Sequence, residues 1–153
     1  MKSSTIYRRS IPIVIAAAAL ALAGCETMDS AWDSTKAMFT TDNVKLDGGQ
    51  EVPPVKTDAT GKGTIKVSDD KSVSGMVKTT GVDGMAAHIH IGAPGTNGPV
   101  AIPLTKGSSG EWSVPVGAKM TDAQYAAYKA GNTYVNVHTA ANKGGEIRGK
   151  IEP

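Results

Sequence analysis

The chain has 153 residues, 40% of them hydrophobic and 20% charged, with a single cysteine. Its formal charge of +2 comes from the amino terminus: without Lys2, Arg8 and Arg9, 13 basic side chains face 14 acidic ones, which leaves no footprint for nucleic acid. One cysteine permits no internal disulfide, so stability must come from a hydrophobic core, and the roughly 110 residues after Asn43 are enough for one domain.

Lys2, Arg8 and Arg9 precede an apolar run from Ile11 to Leu22. That run is too short to span a membrane and has the length of the apolar part of a signal peptide. It ends in Leu22-Ala23-Gly24-Cys25, which resembles the bacterial lipobox. The resemblance implies a signal peptide over residues 1–24, acylation of Cys25 with chains such as palmitate, and a membrane anchor at the new amino terminus. Glu26 in second position implies the outer membrane, with the protein facing the periplasm or the surface. Residues 25–43 carry Met28, Trp32, Thr35 and Phe39 at roughly helical spacing, but Lys36 is their only basic side chain. A tether is therefore expected rather than a helix lying on anionic lipid.

From Val44 the texture changes to short apolar alternations broken by glycine and proline about every eight to twelve residues, the pattern of an antiparallel sandwich or barrel. Strands are predicted near 44–47, 50–56, 60–68, 72–80, 85–91, 99–104, 110–115, 133–139 and 145–152. Asp69-Asp70-Lys71 reads as a hairpin turn and Gly92 to Pro99 as a loop. Thr121-Asp122-Ala123-Gln124 has the form of a capping box, and Gly131 stops the helix it starts. Tyr125 and Tyr128, at i and i+3, are expected to anchor this crossover helix in the core.

The chain contains three histidines, His88, His90 and His138, and all lie in predicted strands. Strand side chains alternate faces, so His88 and His90 share a polar face while Ile89 and Ile91 point to the core. A sandwich that brings His138 beside them creates three imidazoles around one point, a set suited to copper, zinc, iron or nickel. The competing reading is a buried cluster of hydrogen-bonded histidines without metal. Glu146 and Arg148 alternate around Ile147 and can pair with each other or with Glu51. Such a pair is structural, or else Glu51 or Glu146 orients a ligand histidine. Nucleophilic catalysis finds no support, since there is no Gly-x-Ser-x-Gly. Phosphate binding finds none either, because the glycine-rich stretches lack a strand-turn-helix context with lysine.

Leu46-Asp47-Gly48-Gly49-Gln50-Glu51-Val52-Pro53-Pro54, Ala87-His88-Ile89-His90, Asn97-Gly98-Pro99-Val100, Tyr134-Val135-Asn136-Val137-His138-Thr139 and Gly144-Gly145-Glu146-Ile147-Arg148-Gly149 follow one another in order. Together they resemble the CHRD domain, the module named after chordin. The resemblance implies an all-β, Greek-key, immunoglobulin-like sandwich over residues 44–153 and a binding role outside the cytoplasm, without a settled activity. More faintly, His88, His90, His138 and Arg148 resemble the copper site and functional arginine of copper/zinc superoxide dismutases. There is no fourth histidine to bridge two metals, so that likeness implies a single copper centre with Arg148 guiding an anion. The expectation is a lipid-anchored binding module that holds copper or zinc. The alternatives are a dismutase-like oxidoreductase and a structural or adhesive module whose partner is a protein.

Overall fold

A computed structural model describes residues 43–153. The expected signal peptide, Cys25 and the expected tether up to Asp42 lie outside the described residues. Among the described residues no helix is long and apolar enough to cross a membrane.

Among the described residues nine strands form: β1 (Val44–Asp47), β2 (Thr60–Val67), β3 (Val73–Thr80), β4 (Ala86–Ile91), β5 (Val100–Pro103), β6 (Thr105–Lys106), β7 (Glu111–Ser113), β8 (Thr133–His138) and β9 (Ile147–Lys150). They pair antiparallel in the order β5-β4-β8-β9-β1-β2-β3-β7-β6. Strands β3 and β4, and likewise β7 and β8, follow each other in the chain but are not neighbours, so each step crosses over as in a Greek key.

β5 and β6 stand at opposite edges of the sheet, yet only Leu104 separates them in the chain. The two edges must therefore meet. The Leu104 amide donates to the Ala87 carbonyl at 2.9 Å, and Lys106 Nζ donates to the Gly84 carbonyl at 2.6 Å. The sheet curls around one core, as sandwiches do when a strand switches sheets at a bend. Val44, Leu46, Ile65, Val77, Ile89, Trp112, Val135, Val137, Ile147 and Ile151 fill that core from both layers. The predicted all-β architecture is what forms.

Four details differ from the sequence reading. The predicted strand at 50–56 is a one-turn 3-10 helix at Gly48–Gln50 followed by loop. Asp47 caps that turn by accepting from the Gln50 amide at 3.1 Å, and Pro53 and Pro54 have no amide hydrogen to give a ladder. The predicted strand at 99–104 continues past the bend at Leu104 as β6. The last strand runs only from Ile147 to Lys150, its start delayed by Gly145, which takes φ of +132°. The helix α1 (Asp122–Lys129) forms with its capping box, Gln124 amide to Thr121 Oγ1 and Thr121 amide to Gln124 Oε1. Tyr128 is buried in the core as expected, whereas Tyr125 packs at its margin and sends its hydroxyl to Asp69.

A further difference positions the site. The face of β4, β8 and β9 opposite the core, expected to be polar, is covered. Tyr134, Asn136 and Arg148 on that face are each 5% exposed or less. Two loops lie over it, joined where Asn97 Nδ2 donates to the Val52 carbonyl at 2.8 Å.

Candidate metal centre

Strand pairing alone brings the three histidines together. β4 runs antiparallel to β8 with His88 opposite Asn136, His90 opposite Tyr134 and Ala86 opposite His138. Period-two alternation then puts His88 and His90 on the face that carries Tyr134, Asn136 and His138. The ring centroids lie 4.9 Å apart for His88 and His138, 5.5 Å for His88 and His90, and 6.0 Å for His90 and His138. One nitrogen from each ring can be chosen so that all three lie within 4.8 Å of one another.

Hydrogen bonds decide which nitrogens these are. His90 Nδ1 is 2.9 Å from the Gly98 carbonyl and His138 Nδ1 is 2.9 Å from the Lys143 carbonyl. A carbonyl only accepts, so both Nδ1 atoms carry the hydrogen and both Nε2 atoms keep a free lone pair. His138 Nε2 faces His88 Nδ1 at 3.0 Å; in the metal-free ring pair His88 is then the donor. His90 Nε2 is buried and has no partner among the described residues.

Access is one-sided. A cavity of about 400 Å³ is lined by Met85, His88, His138 and Lys143 among others, while His90 lies behind it at 7% exposure. A larger cavity of about 460 Å³, between Gly49–Val52 and Gly92–Gly95, shares Tyr134 and Arg148 with the site but no histidine.

Behind His90 stands a stack. The Tyr134 ring lies parallel to the His90 ring, 5.0 Å between centroids and 5° between planes, and the Arg148 guanidinium sits 4.0 Å from the Tyr134 centroid. Tyr134 Oη accepts from the Gly98 amide at 3.1 Å, so the same loop residue is fixed by the stack on one side and by His90 on the other. Arg148 spends its donors on Glu51 Oε2 at 3.1 Å, on the Thr96 carbonyl at 3.0 Å and on Asn97 Oδ1. Both members of the pair are buried, at 6% and 3% side-chain exposure.

Of the open pairings for Glu51, Glu146 and Arg148, the structure takes Arg148 with Glu51. Glu146 turns away and accepts from Thr139 Oγ1 at 2.7 Å, Thr57 Oγ1 at 2.9 Å and Asn142 Nδ2 at 3.2 Å, which lowers its carboxyl pKa. Its amide still bonds Val137, but the left-handed Gly145 before it breaks the ladder. A Cβ at Gly145 would strike Glu51 Oε1 and Asn136 Nδ2, so the residue must be glycine on packing grounds as well. The hydrogen bonds that orient the imidazoles go to the backbone carbonyls of Gly98 and Lys143 rather than to Glu51 or Glu146. Burial of Arg148 also removes it as a guide for an anion arriving from solvent. Tyr134 and Asn136 went unread as site residues in the sequence, although their spacing of four and two residues from His138 places them on its face.

Burial penalises the charged ring and lowers the pKa of both His88 and His90; neighbouring histidines add to this at His88, while the Gly98 carbonyl opposes it at His90. A folded pKa below the unfolded value of about 6.5 means that the unfolded chain takes up protons first as pH falls. The two rings therefore contribute stability in full above about pH 6.5, and that contribution is lost as pH drops below it. We expect the melting midpoint of the metal-free domain to fall between about pH 7.5 and about pH 5.5, and to fall less in a His88→Asn/His90→Asn variant. A parent midpoint that stays flat across this range would contradict neutral, buried rings. Glu51 titrates with the opposite sign, since burial raises its carboxyl pKa against the pull of Arg148; the double variant isolates the imidazole part.

Searches of curated proteins and of solved structures returned no match. The family model for the CHRD domain matches residues 43–151, the whole curled sheet with both covering loops and the three histidines. The chain belongs to the CHRD domain family.

Proposed function

We propose that this protein is a lipid-anchored binding module outside the cytoplasm that holds a transition metal ion, copper in the first place, on His88, His90 and His138. The observation that carries the reading is the convergence of ring nitrogens whose lone pairs are already freed. Gly98 and Lys143 fix the tautomers of His90 and His138 so that both Nε2 atoms are ligand-ready. His88 needs only to move its proton from Nδ1 to Nε2. Two metal bonds of about 2.1 Å to atoms 3.0 Å apart enclose an angle of about 90°, which suits tetragonal divalent copper or nickel better than tetrahedral zinc. Two such bonds span at most about 4.2 Å, so the spread of up to 4.8 Å closes with small ring rotations.

Titration of the metal-free soluble domain with divalent copper and zinc is expected to give one equivalent of each, with copper held more tightly, as the Irving–Williams order requires. No uptake of either ion at micromolar concentration and neutral pH would leave a binding module without metal. Arg148, buried against Glu51, has no part in this reading as a guide for an anion.

The anchor rests on the sequence of Leu22-Ala23-Gly24-Cys25, with acyl chains on Cys25 supplying the membrane affinity. Full-length protein is expected in the membrane fraction, and Cys25→Ser is expected to release it or block its maturation. A Cys25→Ser protein that is matured at the same position and stays membrane-bound would refute the lipobox reading.

A further inference from the structure

Asn136 stands at the centre of the covered face, opposite His88 on β4 and opposite Arg148 on β9. Its Nδ2 donates to the Gly144 carbonyl at 3.2 Å, and a Cβ on Gly145 would strike the same nitrogen; both residues lie just ahead of β9, so Oδ1 turns the other way, toward β4.

A conflict follows in the neutral site. His90 Nδ1 already gives its hydrogen to Gly98, so its Nε2 is left with a bare lone pair. Asn136 Oδ1 also only accepts. Both atoms are buried and neither has a hydrogen-bond partner among the described residues, with Asn136 at 1% exposure and His90 at 7%. Two buried, unpartnered acceptors on the covered face of two adjacent strands call for something electropositive between them. A water has two hydrogens, enough for these two atoms alone, whereas an ion there also takes the nitrogens of His88 and His138.

We propose that Asn136 Oδ1 is a fourth ligand, making the site three nitrogens and one oxygen built from two residues of β4 and two of β8. The proposal rests on the three-histidine reading. It assigns the ion as one that accepts a hard oxygen beside imidazole, a divalent ion rather than monovalent copper. The ligand amide would be held in turn by the Gly144 carbonyl, which accepts from its Nδ2, as ligands at metal sites generally are.

The test is competition titration of parent, Asn136→Ala and Asn136→Asp domains with divalent copper and with zinc, alongside copper EPR. Asn136→Ala is expected to weaken both ions by about tenfold or more and to change the copper hyperfine pattern, and Asn136→Asp, which adds a charge, to tighten them. If Asn136→Asp does not fold beside Glu51, Asn136→Ala and its EPR spectrum decide alone. Affinities within about threefold of the parent with an unchanged spectrum would overturn the fourth ligand and leave a buried water in its place, with three-histidine binding intact. A parent that binds neither ion would overturn both readings.

Discussion

His138→Ala should abolish stoichiometric copper binding by the soluble domain while leaving it folded. His138 comes from a different hairpin than His88 and His90, and its Nε2 is the atom 3.0 Å from His88 Nδ1. Its ring lies at the cavity mouth, so truncation opens space toward solvent rather than a void in the core. Loss of a residue that only supports a metal ligand typically costs about 10- to 100-fold in affinity, and loss of a ligand itself should exceed that. His88→Ala should behave alike. His90→Ala should lose both affinity and some stability, because that ring is buried between Tyr134 and the Gly98 loop. Tyr125→Phe, remote from the site on α1, is the control and should bind as the parent does. Three histidine variants that keep parental affinity would show that copper, if it binds, binds elsewhere.

The second large effect concerns Arg148. Arg148→Met strands the Glu51 carboxylate in the interior and cuts the bonds to Thr96 and Asn97 that hold the loop over the site. Breaking a buried pair by removing one partner costs roughly 3–5 kcal/mol, which for a domain of this size lowers the melting midpoint by roughly 12–20 °C. Glu51→Leu/Arg148→Met should recover part of this, since the stranded charge is gone. The loop bonds are not restored, so the double variant should still hold copper more weakly than the parent: Gly98, the residue that sets the His90 tautomer, sits at the end of that loop. A single Arg148→Met variant that melts within a few degrees of the parent would mean that the pair carries little of the fold.

Much of the site was written in the chain. A strand fixes side-chain direction by parity, so His88-Ile89-His90 declared its shared face before any partner was known, and Tyr134, Asn136 and His138 declared theirs by the same rule. The capping box at Thr121 to Gln124 and the stop at Gly131 are local interactions between residues three or four apart, and the helix appeared where they put it. Val52-Pro53-Pro54 failed as a strand for a reason equally local, the missing amide hydrogens, and could have been read that way.

Only the tertiary structure decided that β8 lies beside β4, a pairing of segments about fifty residues apart that no local rule specifies and that turns two like-faced histidines into three converging ones. It also decided that the polar face is roofed by two loops. Arg148 was legible as a residue needing a carboxylate, but the choice of Glu51 over Glu146 depended on the left-handed turn at Gly145, which points one acid under the roof and the other away from it. Alternation gives a side chain its direction, and only packing over long sequence separation decides what it meets there.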